Sequence, residues 1–157
     1  MGKAMPVALK TLIVVLLGLA LLMAVPLFVC ISYFDYFTSS FELLRYFISS
    51  VVTGGSMVCA VAMFVCFLRA VIRSKEFFSH AQTKRIFLVG VALAVRVVFD
   101  LLAPTFSFPA PPGGVLGPIE SLPSLNLSVV AMSLMFFALA GVFEYGRILQ
   151  EDSDNIL

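Results

Sequence analysis

The chain has 157 residues, of which 61% are apolar and 12% are charged, and its formal net charge is +1. Soluble domains have about 45–50% apolar and about 25% charged residues, so an ordinary soluble domain is excluded. A disordered chain, a collagen-like repeat and a basic nucleic-acid-binding protein are also excluded, because the apolar content is high and the net charge is small. An integral membrane protein remains, and no direct contact with nucleic acid is expected.

The first half of the chain contains two long uncharged segments. There are 24 residues without a charge between Lys10 and Asp35, and 23 from Tyr46 to Leu68. A helix needs about 20 apolar residues to span a bilayer core, and backbone groups in lipid must be satisfied within the segment. We therefore predict helices over about 10–33 and 46–70.

Two further helices are predicted in the second half, over about 80–103 and 124–149. The first of these begins with Ser79-His80-Ala81-Gln82, which is typical of a capping box. The sequence thus predicts an all-α integral membrane four-helix bundle, with residues 1–157 in one domain and the bilayer as its main partner.

Two connections on the same side of this bundle differ in character. The segment from Phe34 to Arg45 is short and aromatic, long enough for a turn or a small interfacial helix. The loop 104–123 is rich in proline and glycine, which excludes a regular helix. We expect it to cap the outer face, either as an ordered lid or as a mobile loop.

The distribution of basic residues predicts the orientation. Eight Lys and Arg residues fall on one side of the predicted bundle and only Arg45 on the other. Basic residues are enriched in cytoplasmic segments of membrane proteins, so both termini and the loop between the second and third helices are expected in the cytoplasm. The eight are Lys3, Lys10, Arg69, Arg73, Lys75, Lys84, Arg85 and Arg147.

Arg96 and Asp100 are the polar residues expected inside the membrane. Their spacing of four puts them on one face of the third helix, where they can pair. Pairing lowers the cost of about 2.5–3.5 kcal/mol that either charge would carry alone in an insertion assay. A structural pair that fixes helix packing is favoured, and a relay or a polar anchor for a ligand is the alternative.

No pattern for catalysis or metal binding is present. His80 is the only histidine and has no clustered Cys, Asp or Glu partners, so no metal site is expected. A Ser-His-Asp arrangement and a glycine-rich phosphate loop are also missing, so we expect no enzyme and no cofactor. Cys59 and Cys66 are too far apart along one helix for a disulfide, and Cys30 and Cys59 lie at different depths in the membrane. We therefore expect the three cysteines to be unbridged and buried as small apolar side chains.

Small residues recur at helical spacing in two of the predicted helices. Ser50 with Gly54 and Gly90 with Ala94 are typical of close helix approach. Packing within one chain is the favoured interpretation. A homodimer seam is the alternative.

The C-terminal segment places several acids at the end of the last helix, where the helix dipole disfavours anions. Basic groups of the same membrane face should compensate, which predicts either an intramolecular latch or a docking surface for a cytosolic partner. A solvated tail without a role is the remaining alternative. The predicted contact surface consists of Arg73, Lys75, Glu76, Lys84, Arg85, Gln150, Glu151 and Asp154.

Two motifs of this surface resemble a known family. The tail Gly146-x-x-Leu149-Gln150-Glu151-Asp152-x-Asp154, and Ser74-Lys75-Glu76-Phe77-Phe78-Ser79 followed by Lys84-Arg85, are similar to segments of small bacterial four-helix membrane proteins classed as a domain of unknown function. Members are often encoded beside a Cro/repressor-like helix-turn-helix regulator. The resemblance implies a bacterial inner-membrane module that communicates with such a cytosolic regulator, and it implies no catalytic residue.

Three functional hypotheses follow. The first is a regulatory or interaction module whose cytoplasmic face contacts a transcription regulator. The second is a small transporter or solute sensor that uses Arg96, Asp100 and the outer loop. The third is an immunity or envelope-stress protein with an extracellular target.

Overall fold

The computed structural model describes residues 4–73, 79–108 and 119–156. These residues form five α-helices and two short strands. In chain order they are α1 (Ala4–Ser32), α2 (Phe34–Phe37), α3 (Phe41–Arg73), α4 (His80–Leu101), β1 (Phe106–Phe108), β2 (Ile119–Ser121) and α5 (Leu127–Ile156).

The described residues contain one helix more than the sequence predicted, and that helix is α2. Four were predicted, and the fifth occupies the first outer connection, where a turn or a small helix was anticipated. Its physical basis is burial of an aromatic ring. Phe37, at the end of α2, is only 1% exposed and lies in a small core with Leu43 of α3. The helical turn brings this ring back onto α3.

Three of the described helices are long and apolar enough to cross a membrane. The segments are Val7–Ser32, Phe41–Ile72 and Leu127–Ser153, with mean hydropathies of 3.0, 2.2 and 2.0. The architecture is therefore that of a helical membrane protein. The fourth long helix, α4, does not belong to this set; it contains Lys84, Arg85, Arg96 and Asp100 among its 22 residues.

The long helices pack in sequence order: α1 against α3, α3 against α4, and α4 against α5. Two glycines mark close approaches. A Cβ atom at Gly54 would lie 2.6 Å from Cδ2 of Leu27 in α1, and one at Gly90 would lie 2.9 Å from the ring of Phe137 in α5. The small residues singled out in the sequence therefore serve packing within the chain at these two positions.

Phenylalanine rings connect α3 with α5. The ring centroids of Phe64 and Phe136 are 5.8 Å apart, and those of Phe67 and Phe143 are 5.6 Å apart, both edge to face. This arrangement suits the ring quadrupoles. Ile13 of α1 and Ile86 of α4 belong to the same apolar cluster, so all four long helices contribute to one core.

Two short strands near the two ends of the loop 104–123 pair with each other. β1 and β2 are antiparallel, with Ser107 opposite Glu120. This pairing holds both ends of the proline-rich loop near the end of α4. Residues 109–118, in which the choice between lid and mobile loop lies, fall outside the described residues.

The beginning of α4 shows the Ser79 half of the predicted capping box. The Ser79 hydroxyl accepts a hydrogen bond from the backbone N–H of Gln82 at 3.4 Å. The cap satisfies one of the donors that the first turn of a helix leaves unpaired. It fixes where α4 begins.

Candidate functional site

The structure brings Arg96 and Asp100 together on α4. Nε of Arg96 lies 3.4 Å from Oδ2 of Asp100, and their side chains are 25% and 18% exposed. The contact is long and uses one nitrogen, unlike the shorter bidentate pairs that arginine forms with carboxylates. The pair is therefore neither tightly closed nor sealed inside the protein.

α3 supplies polar groups to the same region. The Thr53 hydroxyl donates to Oδ1 of Asp100 at 3.4 Å, and the Ser49 hydroxyl donates to the backbone carbonyl of Phe99 at 3.2 Å. The N–H of Ser124, beyond the hairpin, donates to the carbonyl of Asp100 at 3.1 Å. Asp100 is thus held by side chains of α3 and α4, and its backbone by the segment leading into α5.

Two cavities flank the ion pair. One, of about 320 Å³, lies between α1, α3 and α4 and includes Arg96. The other, of about 190 Å³, includes Asp100 and Glu120 of β2. Both are lined by Tyr46, Ser50 and Thr53 of α3. We call the two adjoining cavities, with the ion pair between them, the outer cleft.

The walls of the two cavities differ in polarity. The larger cavity is lined on the α1 side by Met23, Pro26, Leu27 and Cys30. The smaller one is lined by hydroxyl and carboxylate groups together with Leu122 and Ala103. Small-molecule sites combine an apolar wall with a few converging polar groups, and the outer cleft has this composition.

Sequence reasoning found Arg96 and Asp100 but missed the α3 residues that face them. Ser49 and Thr53 are four apart, and Ser50 and Thr53 are three apart, which places them on one side of a helix. This polar spacing within an otherwise apolar segment was the signal that could have identified the second wall. Tyr46 lines both cavities, and its ring centroid is 6.0 Å from that of Phe37.

A second polar cluster lies at the opposite end of the bundle. Nη2 of Arg147 is 2.6 Å from Oε1 of Glu144, and Nη1 of the same guanidinium binds Glu151. Glu144 also approaches His80 at the beginning of α4, with Oε2 4.0 Å from Nδ1. Arg147 of α5 itself thus neutralises two acids of its own helix, a role that the sequence had suggested for basic residues of other segments.

The predicted cytoplasmic contact residues are only partly described. Lys84 and Arg85 lie in the first turns of α4, and Gln150 and Glu151 lie on α5, which continues past its predicted end. Arg73 ends α3 and Asp154 belongs to α5, but neither side chain is among the described ones. Lys75 and Glu76 fall outside the described residues.

The cysteines differ from expectation in one respect. All three are free thiols. Cys59 and Cys66 are exposed on the surface of α3, so the expectation that they are buried fillers is wrong, and Cys30 is partly buried in the wall of the larger cavity. Their different positions follow from the face of the helix each occupies, which apolar sequence alone does not reveal.

A scan against protein-family models finds no match, and neither a search of curated proteins nor a search of solved structures returns one. The fold and the apolar helices define the class of the protein as a helical membrane protein.

Proposed function

We propose that the protein is a membrane solute-binding protein, a sensor or small transporter, whose ligand enters the outer cleft beside Arg96 and Asp100. In this proposal α4 also crosses the bilayer, giving four crossings of a bacterial inner membrane with both termini in the cytoplasm. Its 22 residues correspond to about 33 Å of helix, enough for a core about 30 Å thick. The basic residues concentrated on one side support the orientation.

The observation that carries the proposal is the incomplete enclosure of the ion pair. A pair that serves only packing gains most when sealed and fully hydrogen-bonded, because a desolvated charge with missing partners is costly. Arg96 instead faces one cavity and Asp100 the other, with a single long contact between them. Polar groups that line an intramembrane cavity are typical of ligand or ion pathways.

The test uses Cys30 as a reporter of water in the larger cavity. In a Cys59→Ala, Cys66→Ala background, a charged, membrane-impermeant thiosulfonate reagent is added to the outside of intact spheroplasts. We expect Cys30 to be modified, because the thiolate needs water and an open path to the reagent. The matched control retains only Cys59, which lies on the exposed surface of α3 and should be shielded by lipid.

A second control establishes reagent access and orientation. In a cysteine-free background, Ser39→Cys places a thiol at an exposed position in the turn after α2. It should react from the outside. If Ser39→Cys reacts and Cys30 does not, the cleft is closed to water and the proposed function is wrong. Reaction of Ser39→Cys only after membrane permeabilisation would overturn the orientation.

The second candidate is a regulatory module that contacts a cytosolic partner, with a helix-turn-helix transcription regulator as the partner class implied by the resemblance. The approach of Glu144 to His80 favours it, because it brings this part of α5 close to the beginning of α4. Lys84, Arg85, Gln150 and Glu151 are thereby presented at the ends of two packed helices. Such a surface would suit a partner with complementary charge.

Recovery of a partner from native membranes in mild detergent tests this candidate. Lys84→Glu alters the surface at an exposed side chain, and the double variant Glu151→Lys, Asp154→Lys alters its acidic half. Both should lose a helix-turn-helix protein that the wild type recovers. Lys10→Glu, an exposed change on α1, is the matched control. Equal recovery with all variants would contradict the assigned surface.

A further inference from the structure

We infer that the outer cleft binds a small zwitterion, an amino acid with an apolar side chain, and this inference rests on the proposed function. The juxtaposition that leads to it is a guanidinium in one cavity and two carboxylates in the next. Arg96 lines the larger cavity, whereas Asp100 and Glu120 line the smaller one. Ser50 and Thr53 line both cavities.

The charges favour a ligand with both signs. An anion alone would be attracted by Arg96 but repelled by the two carboxylates. A cation alone would be attracted by the two carboxylates but would bring no anionic group to Arg96 in the larger cavity. A molecule with a carboxylate near Arg96 and an ammonium near Asp100 and Glu120 complements both ends. Complementary placement of charge is the usual source of such selectivity.

Arg96 retains the capacity to bind a carboxylate. A guanidinium has five N–H donors, and the contact recorded to Asp100 uses Nε. The amino groups of the same plane can bind a ligand carboxylate with two parallel hydrogen bonds, the geometry for which arginine is suited. The partial exposure of the side chain, 25%, leaves room for that approach.

Asp100 retains the capacity to accept from an ammonium. Its Oδ1 accepts from Thr53 and its Oδ2 from Arg96. A carboxylate offers about four acceptor sites, so two protein donors leave capacity for a ligand N–H group. Glu120, exposed on β2 and lining the same cavity, adds a second carboxylate.

The larger cavity sets the size and polarity of the remaining part of the ligand. Met23, Leu27 and Met57 form apolar walls around a volume of about 320 Å³. Pockets for drug-sized ligands measure about 300–1,000 Å³, so this cavity suits a small molecule. Methionine side chains adapt to different apolar shapes. An aliphatic side chain lying against these residues completes the ligand.

The experiment compares three probes that share the leucine side chain, on the full chain in lipid nanodiscs. Leucine is a zwitterion, leucinamide lacks the carboxylate, and N-acetylleucine lacks the ammonium. Binding is measured by calorimetry and by slowing of Cys30 modification in the Cys59→Ala, Cys66→Ala protein. We expect leucine to bind at least about tenfold more tightly than either analogue, because each analogue leaves a polar group of the site unpaired.

Two substitutions test which protein group binds each charged group of the ligand. Arg96→Gln should remove the preference for leucine over leucinamide, and Asp100→Asn the preference over N-acetylleucine. The matched controls are Arg69→Gln and Glu42→Gln, which remove exposed charges on α3 outside the cleft. Both should retain the full preference for leucine.

The outcomes separate this inference from the proposed function. Tighter binding of leucinamide would make the cleft an amine site, and tighter binding of N-acetylleucine an anion site; either overturns the zwitterion. If Cys30 is labelled but none of the three probes binds or slows labelling, the zwitterion is also wrong and a water-filled cleft remains. If Cys30 is not labelled at all, the proposed function itself fails.

Discussion

Thr53 and Asp100, 47 residues apart in the chain, are joined by a hydrogen bond of 3.4 Å between the threonine hydroxyl and Oδ1 of the carboxylate. The bond connects α3 with α4 next to the Arg96 contact. It orients the carboxylate from a neighbouring helix, so the polar pair of α4 becomes part of a site shared by two helices.

Thr53→Val tests this orientation. The substitution nearly preserves volume but removes the hydroxyl, and we expect a loss of about 1 kcal/mol in the free energy of unfolding. Denaturant unfolding in detergent measures it. Thr11→Val is the matched control, since its exposed hydroxyl bonds to the carbonyl of Val7 in its own helix. Equal losses in both variants would show that Thr53 has no special role.

A double substitution distinguishes the contribution of the Arg96–Asp100 pair to solute binding from its contribution to stability. Asp100→Leu alone leaves Arg96 without its partner and should destabilise strongly. Adding Arg96→Met should restore stability to about the wild-type level, because replacement of an ion pair by apolar residues is often neutral or stabilising. Thermal unfolding measures both variants. A double variant no more stable than Asp100→Leu would indicate that the pair is needed for folding.

If the pair binds the solute, the double variant should be about as stable as the wild type but should not bind the solute. The binding assay on the same double variant provides that second measurement. Retention of wild-type binding by a stable double variant would remove Arg96 and Asp100 from the site.

Gly90→Ala should destabilise the contact between α4 and α5. The new methyl would lie 2.9 Å from the ring of Phe137, and overpacking of this kind costs about 1–3 kcal/mol. The matched control is Gly141→Ala, where nothing lies within 4 Å of the added carbon. Because both changes gain the same helix propensity, of about 1 kcal/mol, the difference between their unfolding free energies reports the overpacking. No difference would contradict the close approach.

Ser133→Ala should also weaken the packing of α4 against α5, because it removes a hydrogen bond that α5 donates to α4. The buried Ser133 hydroxyl donates to the carbonyl of Gly90 at 2.9 Å. Hydrogen bonds between membrane helices contribute about 0.6 kcal/mol on average, and we expect a loss of this size in unfolding free energy. Ser128→Ala, at an exposed position in the first turn of α5, should have a smaller effect. The reverse order would be inconsistent with this contact.

Arg147→Gln should loosen the end of α5. The guanidinium binds Glu144 and Glu151, one turn to either side, and its loss removes charge-assisted hydrogen bonds between successive turns of α5. Faster amide hydrogen exchange over residues 148–154 is the expected result. Arg69→Gln, which removes an exposed arginine of α3, serves as the control. Unchanged exchange in Arg147→Gln would show that the helix end is held by other contacts.

The sequence by itself determined the membrane class and the approximate positions of the long helices. Long uncharged segments have a strong physical signature, because a bilayer tolerates few charges and requires internally bonded backbone. The four-residue spacing of Arg96 and Asp100 likewise fixed their common face, since helix geometry sets that relation locally. The Ser79 cap is local for the same reason.

Only the tertiary structure decided what surrounds these residues. The short helix α2, the placement of Thr53 against Asp100 and the cavity beneath Cys30 depend on how separate helices pack. Cys30 and Cys59 look alike in an apolar sequence, yet one lines the cleft and the other lies on the exposed surface of α3. Helix rotation and contacts between residues distant in sequence are set by side-chain packing across helices, and the periodicity of a single apolar segment does not contain that information.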